Sequence, residues 1–123
     1  MKKILIIEDE EAYRRIIYDQ LIKNGYEVIV AVDGEEGLRM ALKDKPNLIL
    51  LDLMMPKLEG LKMLNNLNRF KEGLSIPVFI LTNVNDSNIT TEAMYSHASK
   101  YFVKSDTKIE DLLGNINTYL KGG

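Results

Sequence analysis

The sequence contains no cysteine and no tryptophan, and only three of its 123 residues are proline. Without cysteine, a disulfide framework, a thiolate zinc site and a thiol nucleophile are excluded. No apolar run approaches the roughly 18 residues that a membrane-spanning helix needs. Glu8 and Asp9 interrupt the first apolar run too early for a signal peptide. These absences suit a cytoplasmic protein without membrane attachment, which we predict.

Charge gives no sign of a nucleic-acid partner. The formal net charge is −2, so there is no electrostatic reason to expect direct binding to nucleic acid. The acidic residues are unevenly spread, however, because Glu8, Asp9, Glu10 and Glu11 form one block. The length and the 46% hydrophobic content predict a single domain with one sizeable core, covering residues 1–123.

Short apolar runs alternate with longer segments in which apolar residues recur every three or four positions. The runs predict strands at 4–7, 26–32, 47–52, 78–81 and 101–103. The periodic segments predict helices at 10–23, from 33 to Pro46, at 58–70, at 86–97 and from 107 onward. This alternation predicts an α/β fold with one parallel sheet between two layers of helices.

Strand order follows from composition and handedness. The first and third runs are the richest in isoleucine and leucine, so we place them at the centre of the sheet. With right-handed crossovers, the expected order is 2-1-3-4-5, a doubly wound, flavodoxin-like (βα)5 arrangement.

Helix boundaries can also be predicted. Asp33 with Glu36, and Thr107 with Glu110, have the spacing of capping boxes at helix starts. The Asn24-Gly25 pair predicts the end of the first helix. The spacing of Tyr13, Ile16, Ile17, Leu21 and Ile22 indicates that helix.

Polar residues follow the ends of the central apolar runs. They are Glu8 with Asp9, then Asp52, Thr82 and Lys104. In a sheet of this kind they meet at the carboxyl edge, where ligands bind. Three carboxylates repel one another and need cations, which Lys104 and a hard divalent ion such as Mg²⁺ would supply. A carboxylate, a metal, a lysine and a hydroxyl are the groups that phosphoryl transfer requires.

Five stretches together resemble the receiver domain of bacterial two-component response regulators. They are ILIIEDE (4–10), VAVDGEEGL (30–38), LILLDLMMPKLEGLKML (48–64), VFILTN (78–83) and KYFVKS (100–105). The resemblance covers essentially the whole chain, and the order and spacing of the five stretches make it specific. It implies a phosphoryl-accepting signalling switch of a two-component or phosphorelay system.

The resemblance implies a role for each acidic position. Asp52 matches the phosphoacceptor, which is a carboxylate set into the apolar stretch NLILLDLMMP. Asp9 matches a direct Mg²⁺ ligand, and Glu8 matches a residue that holds the ion through water. The backbone carbonyl of Met54 matches the third protein ligand.

The remaining matches describe the switch. Thr82 matches the hydroxyl that turns toward the phosphoryl group, and Lys104 matches the lysine that pairs with the acceptor and then the phosphate. Tyr101 matches the aromatic that turns inward when the threonine moves. In this family, phosphorylation repacks the face formed by the fourth helix, fifth strand and fifth helix.

The family also implies the partners. The phosphoryl donor is a phosphohistidine on a sensor histidine kinase or a histidine phosphotransfer protein. A downstream target protein binds the repacked face, and the chain is expected to be a monomer or a phosphorylation-linked homodimer. The chemistry is limited to Mg²⁺-dependent self-phosphorylation and autodephosphorylation, so we expect no turnover enzyme.

Two positions depart from the family pattern. Most receivers have proline after the lysine, joined by a cis bond, whereas this chain has Ser105. A cis bond before a non-proline residue costs about 3–4 kcal/mol, so we predict a trans bond. Asn83 replaces the usual small residue after Thr82, and it either narrows access to the phosphoryl group or donates a hydrogen bond to it. Met54 and Val84 are expected to hinder attacking water and so prolong the phosphorylated state.

Three other functions were weighed. A degenerate receiver that acts through protein contacts without phosphorylation is the main alternative, because of Asn83 and Ser105. A flavodoxin-like cofactor binder is disfavoured by the acidic loop at residues 8–11 and by the lack of a G-x-G-x-x-G motif. An aspartyl phosphatase is disfavoured because Met54 stands where such enzymes often place a second aspartate.

Overall fold

We describe the protein from a computed structural model, which places residues 1–56, 59–83, 88, 91–93 and 98–121. The strands are β1 (Lys3–Ile7), β2 (Glu27–Ala31), β3 (Leu48–Leu51), β4 (Val78–Thr82) and β5 (Lys100–Val103). The helices are α1 (Glu11–Lys23), α2 (Gly34–Asp44), α3 (Glu59–Leu67), a short helix (Lys71–Leu74) and a C-terminal helix (Ile109–Lys121). The helix predicted at 86–97 lies mostly outside the described residues. None of the described helices has the length and apolar character needed to cross a membrane.

All strand pairs are parallel, and their order is β2-β1-β3-β4-β5, which confirms the predicted topology. β1 and β3 lie side by side, with Ile7 opposite Leu51. The next residues along these strands are Glu8 and Asp52, and the backbone N–H of Asp52 still donates to the carbonyl of Ile7 at 3.1 Å. The register of the two central strands therefore places these two carboxylates next to each other.

The sheet separates two apolar layers, because successive strand residues point to opposite faces. Leu5, Ile7, Ile49 and Leu51 face one layer, with residues from α2 and α3. The alternate strand residues face the other layer, with α1 and the C-terminal helix. Burial on both faces explains why every residue of β3 is buried and apolar.

The predicted helix at 10–23 is confirmed as α1, but not all of the apolar residues that indicated it are buried. Ile17 and Leu21 are buried and Tyr13 packs beside them, but Ile16 is 50% exposed and Ile22 is 44% exposed. Residues spaced by four share one side of a helix, so a helix packed on one sheet face buries that narrow stripe alone.

Of the two predicted capping boxes, the cap of α2 by Asp33 is confirmed, but Glu36 Oε1 accepts from the Val32 N–H at 3.1 Å and not from the Asp33 N–H. The Asp33 side chain accepts a hydrogen bond from the Glu36 N–H at 2.8 Å at the start of α2. The second is wrong, because the Thr107 hydroxyl donates to the carbonyl of Val103 at 2.8 Å and the helix starts at Ile109. A Ser or Thr hydroxyl can hydrogen-bond either to a backbone N–H or to a backbone carbonyl, and the Thr107 hydroxyl bonds to the carbonyl of Val103 at the end of β5.

Candidate functional site

Three carboxylates converge at the carboxyl edge of the two central strands. Glu8 and Asp9 directly follow β1, and Asp52 follows β3. Glu8 is 4% exposed and Asp52 is 5% exposed, whereas Asp9 is exposed to solvent. Oxygen atoms of the three carboxylates lie within 4.8 Å of one another. The sequence-predicted acidic residues are thus brought together in one place.

Lys104 extends into this cluster from the carboxyl end of β5, the strand at one side of the sheet. It follows β5 and begins a 3₁₀ turn, Lys104–Asp106. Its ammonium nitrogen lies 2.5 Å from Glu8 Oε1 and 3.2 Å from Asp52 Oδ2. The ring of Tyr13, on α1, lies against the same nitrogen, 4.4 Å from ring centroid to Nζ. Lys104 therefore pairs with two of the three carboxylates, Glu8 and Asp52.

Glu8 is held by contacts on both sides of its carboxylate. Its Oε1 accepts from Lys104, and its Oε2 accepts from the backbone N–H of Glu10 at 3.1 Å. Arg14 donates to the backbone carbonyl of Glu8 at 3.0 Å, which fixes the turn between β1 and α1. Burial raises the pKa of the Glu8 carboxyl from 4.5 to about 7, because desolvation outweighs the hydrogen bond from Lys104.

The charge of Lys104 is stabilised by the same contacts. Burial by itself lowers the pKa of the ammonium, but the hydrogen bond to Glu8 and the charges of Glu8 and Asp52 outweigh that effect. The pKa of Lys104 is therefore raised above its ordinary 10.5. Lys104 stays protonated at neutral pH.

Asp52 is oriented by its neighbours in the chain and in space. Its Oδ1 accepts from the backbone N–H of Met54 at 2.9 Å, while Oδ2 faces Lys104. Behind it, Gly60 of α3 packs directly on the strand end. A Cβ atom on Gly60 would lie 2.1 Å from the Asp52 carbonyl oxygen and 2.7 Å from the Leu53 Cα.

Sequence reasoning missed Gly60 as a residue of the site. The signal was present, because a glycine inside a predicted helix costs about 1 kcal/mol relative to alanine and usually has a packing reason. The packing partner lies in another element, so the sequence alone does not identify it. Arg14, which fixes the turn at Glu8, was missed in the same way.

The predicted switch residues lie on the neighbouring strands. Thr82 ends β4 and is fully buried, and its hydroxyl has no hydrogen-bond partner among the described residues. Thr82 is paired with Val103, the residue before Lys104. Tyr101 is half-buried on β5 and packs against the apolar layer under α2 and α3. Buried hydroxyls in folded proteins usually have a hydrogen-bond partner, either in the protein or in ordered water.

The two departures from the receiver pattern contact each other. The described part of the chain contains no cis peptide bond, so the Lys104–Ser105 bond is trans, as predicted. Oδ1 of Asn83 accepts a hydrogen bond from the backbone N–H of Ser105 at 3.0 Å. Neither role predicted for Asn83 included this contact. Met54 is 56% exposed, while Val84 lies outside the described residues, so their shielding of the site stays a prediction.

The donor set suits a hard divalent cation. Mg²⁺ prefers carboxylate, carbonyl and water oxygens and is usually held by one or two carboxylates. The three grouped carboxylates offer such oxygens, with Asp9 on the solvent side. Both oxygens of Glu8 and both oxygens of Asp52 already accept hydrogen bonds, whereas Asp9 is exposed to solvent and can coordinate a cation directly.

The chain is similar in sequence and in fold to known proteins. Residues 4–117 match the family described as the response regulator receiver domain. The response regulator ArlR of Staphylococcus saprophyticus is 36% identical over 121 residues, which are 98% of this chain and 53% of that protein. The phosphorylated cyanobacterial phytochrome response regulator RcpA superposes with a TM-score of 0.87 at 27% identity, covering 99% of this chain and 96% of that one. For the Mn²⁺-bound form of response regulator Rcp1 the TM-score is 0.83 at 26% identity, covering 97% and 94%.

The match spans most of the chain, so this protein belongs to the response regulator receiver domain family. Receiver domains are phosphorylation-dependent signalling switches of two-component systems and bind a divalent cation at an acidic pocket. The predicted family and the predicted sheet are both confirmed. The chain spans between a third and about a half of the length of the curated relatives it matches.

Proposed function

We propose that residues 1–123 form one receiver domain that accepts a phosphoryl group on Asp52 from a phosphohistidine of a sensor kinase or phosphotransfer protein. A carboxylate oxygen of Asp52 bonds to phosphorus while the phosphorus–nitrogen bond of the donor breaks, and the imidazole leaves with the electron pair. The observation that carries the proposal is the position of Asp52. It is a buried carboxylate that stays beside a protonated lysine in an acidic cluster.

The neighbouring residues have distinct roles in this proposal. Lys104 leaves its ion pair with Asp52 and neutralises the phosphoryl oxygens. The buried Thr82 hydroxyl, which has no described partner, donates a hydrogen bond to one of those oxygens. Asp9, Asp52 and the Met54 carbonyl would hold Mg²⁺, with Glu8 acting through water. When bound, the ion supplies positive charge that offsets the charge gathered at the phosphoryl group.

The output follows from the movement of Thr82. Once its hydroxyl turns to the phosphoryl group, Tyr101 turns inward to fill the space on the adjacent strand. The face formed by the predicted fourth helix, β5 and the C-terminal helix then repacks and changes its affinity for a target protein. In this proposal the chain is a monomer or forms a homodimer that depends on phosphorylation. The cytoplasmic location and the absence of direct nucleic-acid binding stay predictions.

Labelling with a small phosphodonor tests the acceptor. Incubation with acetyl phosphate and Mg²⁺ should add the mass of one phosphoryl group in an acid-labile form. Asp52→Asn should abolish the label while the fold is retained, and Asp19→Asn, which changes an exposed carboxylate of α1, should leave it unchanged. Label that persists on Asp52→Asn would move the acceptor elsewhere.

The alternative, a receiver that acts without phosphorylation, has a different signature. Titration with Mg²⁺ and beryllofluoride, a mimic of the aspartyl phosphate, would be followed by amide NMR. Saturable shifts around Asp52, Thr82 and Tyr101 support the phosphorylated switch. Mg²⁺ binding without a beryllofluoride response would favour the phosphorylation-independent receiver, as would a wild-type chain that takes no label.

A further inference from the structure

Among the described residues, three hydrogen bonds hold the 3₁₀ turn that carries Lys104. Two are local, because Thr107 donates its N–H to the Lys104 carbonyl at 3.4 Å and its hydroxyl to the Val103 carbonyl at 2.8 Å. The third comes from another strand end, where Asn83 accepts from the Ser105 N–H at 3.0 Å. The first N–H groups of a helical turn have no partner within it, and Asn83 satisfies one of them.

This bond depends on both residues that depart from the receiver pattern. A proline at position 105 has no N–H and would leave nothing for Asn83 to accept. A small apolar residue at position 83 would offer no acceptor oxygen. A backbone N–H requires an acceptor, so the amide oxygen of Asn83, rather than its NH₂ group, must face Ser105. The two departures form one interaction between positions 22 residues apart in sequence.

The bond lies between the two groups that would respond to a phosphoryl group. Asn83 directly follows Thr82, and Ser105 directly follows Lys104. Thr82 and Val103 are register partners in β4 and β5, so the bond extends the contact of these strands by one step beyond the sheet. With Ser105 the turn lacks the rigid proline that most receivers have after the lysine, and the side chain of Asn83 restrains the turn from the end of β4.

We propose that Asn83 is a positioning residue that holds the turn at Lys104, so that the ammonium reaches Glu8 and Asp52. This inference rests on the proposed function, since it assigns Asn83 to the same phosphorylation site. Asn83 acts through Lys104 and does not contact the reacting atoms in this role. Its contact also joins the ends of β4 and β5.

The test compares Asn83→Ala with Ser105→Ala. Asn83→Ala removes the acceptor, whereas Ser105→Ala keeps the backbone N–H and is the matched control. Both positions are exposed, so neither variant should impair folding. With acetyl phosphate and Mg²⁺, Asn83→Ala should be phosphorylated about threefold to tenfold more slowly than wild type, as expected for the loss of one hydrogen bond. Ser105→Ala should react at the wild-type rate.

Two NMR measurements separate positioning from other effects. In Asn83→Ala, the backbone amide of residue 105 should exchange with solvent faster, and the ¹⁵N signal of the Lys104 ammonium should shift. In Ser105→Ala, the amide of residue 105 should remain protected and the Lys104 signal should not shift. A double-mutant cycle adds Ser105→Pro, which removes the donor. Asn83→Ala should then have little further effect in the Ser105→Pro background.

The outcomes are distinct from those of the proposed function. If wild type takes the label and Asn83→Ala reacts at the same rate with an unchanged Lys104 signal, the positioning role is wrong. If Asn83→Ala reacts faster, Asn83 restricts access to Asp52, and the positioning role is also wrong. If wild type takes no label, the proposed function fails, whereas the two NMR signals still report whether Asn83 holds the turn.

Discussion

Gly60 of α3 lies directly on the backbone of Asp52, so close that a Cβ atom would lie 2.1 Å from the Asp52 carbonyl oxygen. No side chain other than hydrogen fits between this helix and the end of β3. The helix therefore supports the strand end from which the Asp52 side chain projects. The contact connects the packing of α3 to the position of the proposed acceptor.

Gly60→Ala should destabilise the protein and disturb the acceptor. The new methyl group must push α3 away from the strand end, and overpacking of this kind costs about 1–3 kcal/mol. We expect the free energy of unfolding in urea to fall by that amount and the amide signals of residues 52–54 to shift. The matched control is Gly114→Ala. Gly114 is an exposed residue of the C-terminal helix, and no atom lies within 4 Å of a Cβ added there. Gly114→Ala should be neutral or stabilising by up to about 1 kcal/mol. Equal effects of the two substitutions would remove the packing explanation.

Asp9→Ala should weaken Mg²⁺ binding. Asp9 is the exposed carboxylate of the three-carboxylate cluster, and changes even to partners of metal ligands weaken metal binding roughly tenfold to a hundredfold. We expect calorimetric titration to show at least about a tenfold loss. Without metal, the variant should be slightly more stable than wild type, because carboxylate repulsion is relieved. Glu10→Ala, which removes the next carboxylate along the chain, should bind Mg²⁺ as wild type does. An unchanged affinity in Asp9→Ala would exclude Asp9 from the site.

The raised pKa of Glu8 predicts how stability depends on pH when Mg²⁺ is absent. Its folded-state pKa of about 7 lies above its ordinary value of 4.5. Between these values the folded protein binds a proton that the unfolded chain has released, so stability falls as pH rises from about 4.5 to 7. The pKa of Lys104 is raised above 10.5, so Lys104 keeps its charge between pH 4.5 and 7 and does not contribute to the pH dependence of the free energy of unfolding there.

The comparison of Glu8→Gln with wild type isolates this effect. In chelator-treated buffer, the stability of wild type relative to Glu8→Gln should decrease by roughly 1–3 kcal/mol across the window. Glu11→Gln, which removes an exposed carboxylate of α1, should follow the wild-type pH profile. Parallel profiles for wild type and Glu8→Gln would show that Glu8 titrates normally.

The ring of Tyr13 should matter more than its hydroxyl. The Lys104 ammonium lies 4.4 Å from the ring centroid, a distance at which cation–π attraction is worth about 0.5–2 kcal/mol. Tyr13→Leu should therefore slow phosphorylation by acetyl phosphate about threefold, because Lys104 is held less firmly. Tyr13→Phe keeps the ring and should remain close to wild type. If the two variants behave alike, the ring does not position Lys104.

The sequence by itself determined the five strands, the longer helices α1, α2, α3 and the C-terminal helix, and the edge at which the site forms, but not the short helix Lys71–Leu74 or the 3₁₀ turn Lys104–Asp106. The alternation of apolar runs with periodic segments predicted a parallel sheet covered on both faces. The isoleucine- and leucine-rich first and third runs, with right-handed crossovers, predicted the order β2-β1-β3-β4-β5. The residues that end the central strands had to meet, because parallel strands share a carboxyl edge. Local patterns and chain connectivity are sufficient for such predictions.

Only the tertiary structure decided which side chains contact one another. Lys104 and Glu8 are 96 residues apart, and their contact depends on the register of β1 and β5 in the sheet and on the turn after β5. Ile16 and Ile22 are exposed because one helix face packs on the sheet, which apolar spacing alone did not reveal. The contacts of Gly60 with Asp52 and of Asn83 with Ser105 arise between elements. Such contacts depend on side-chain directions and distances that only the packed fold determines.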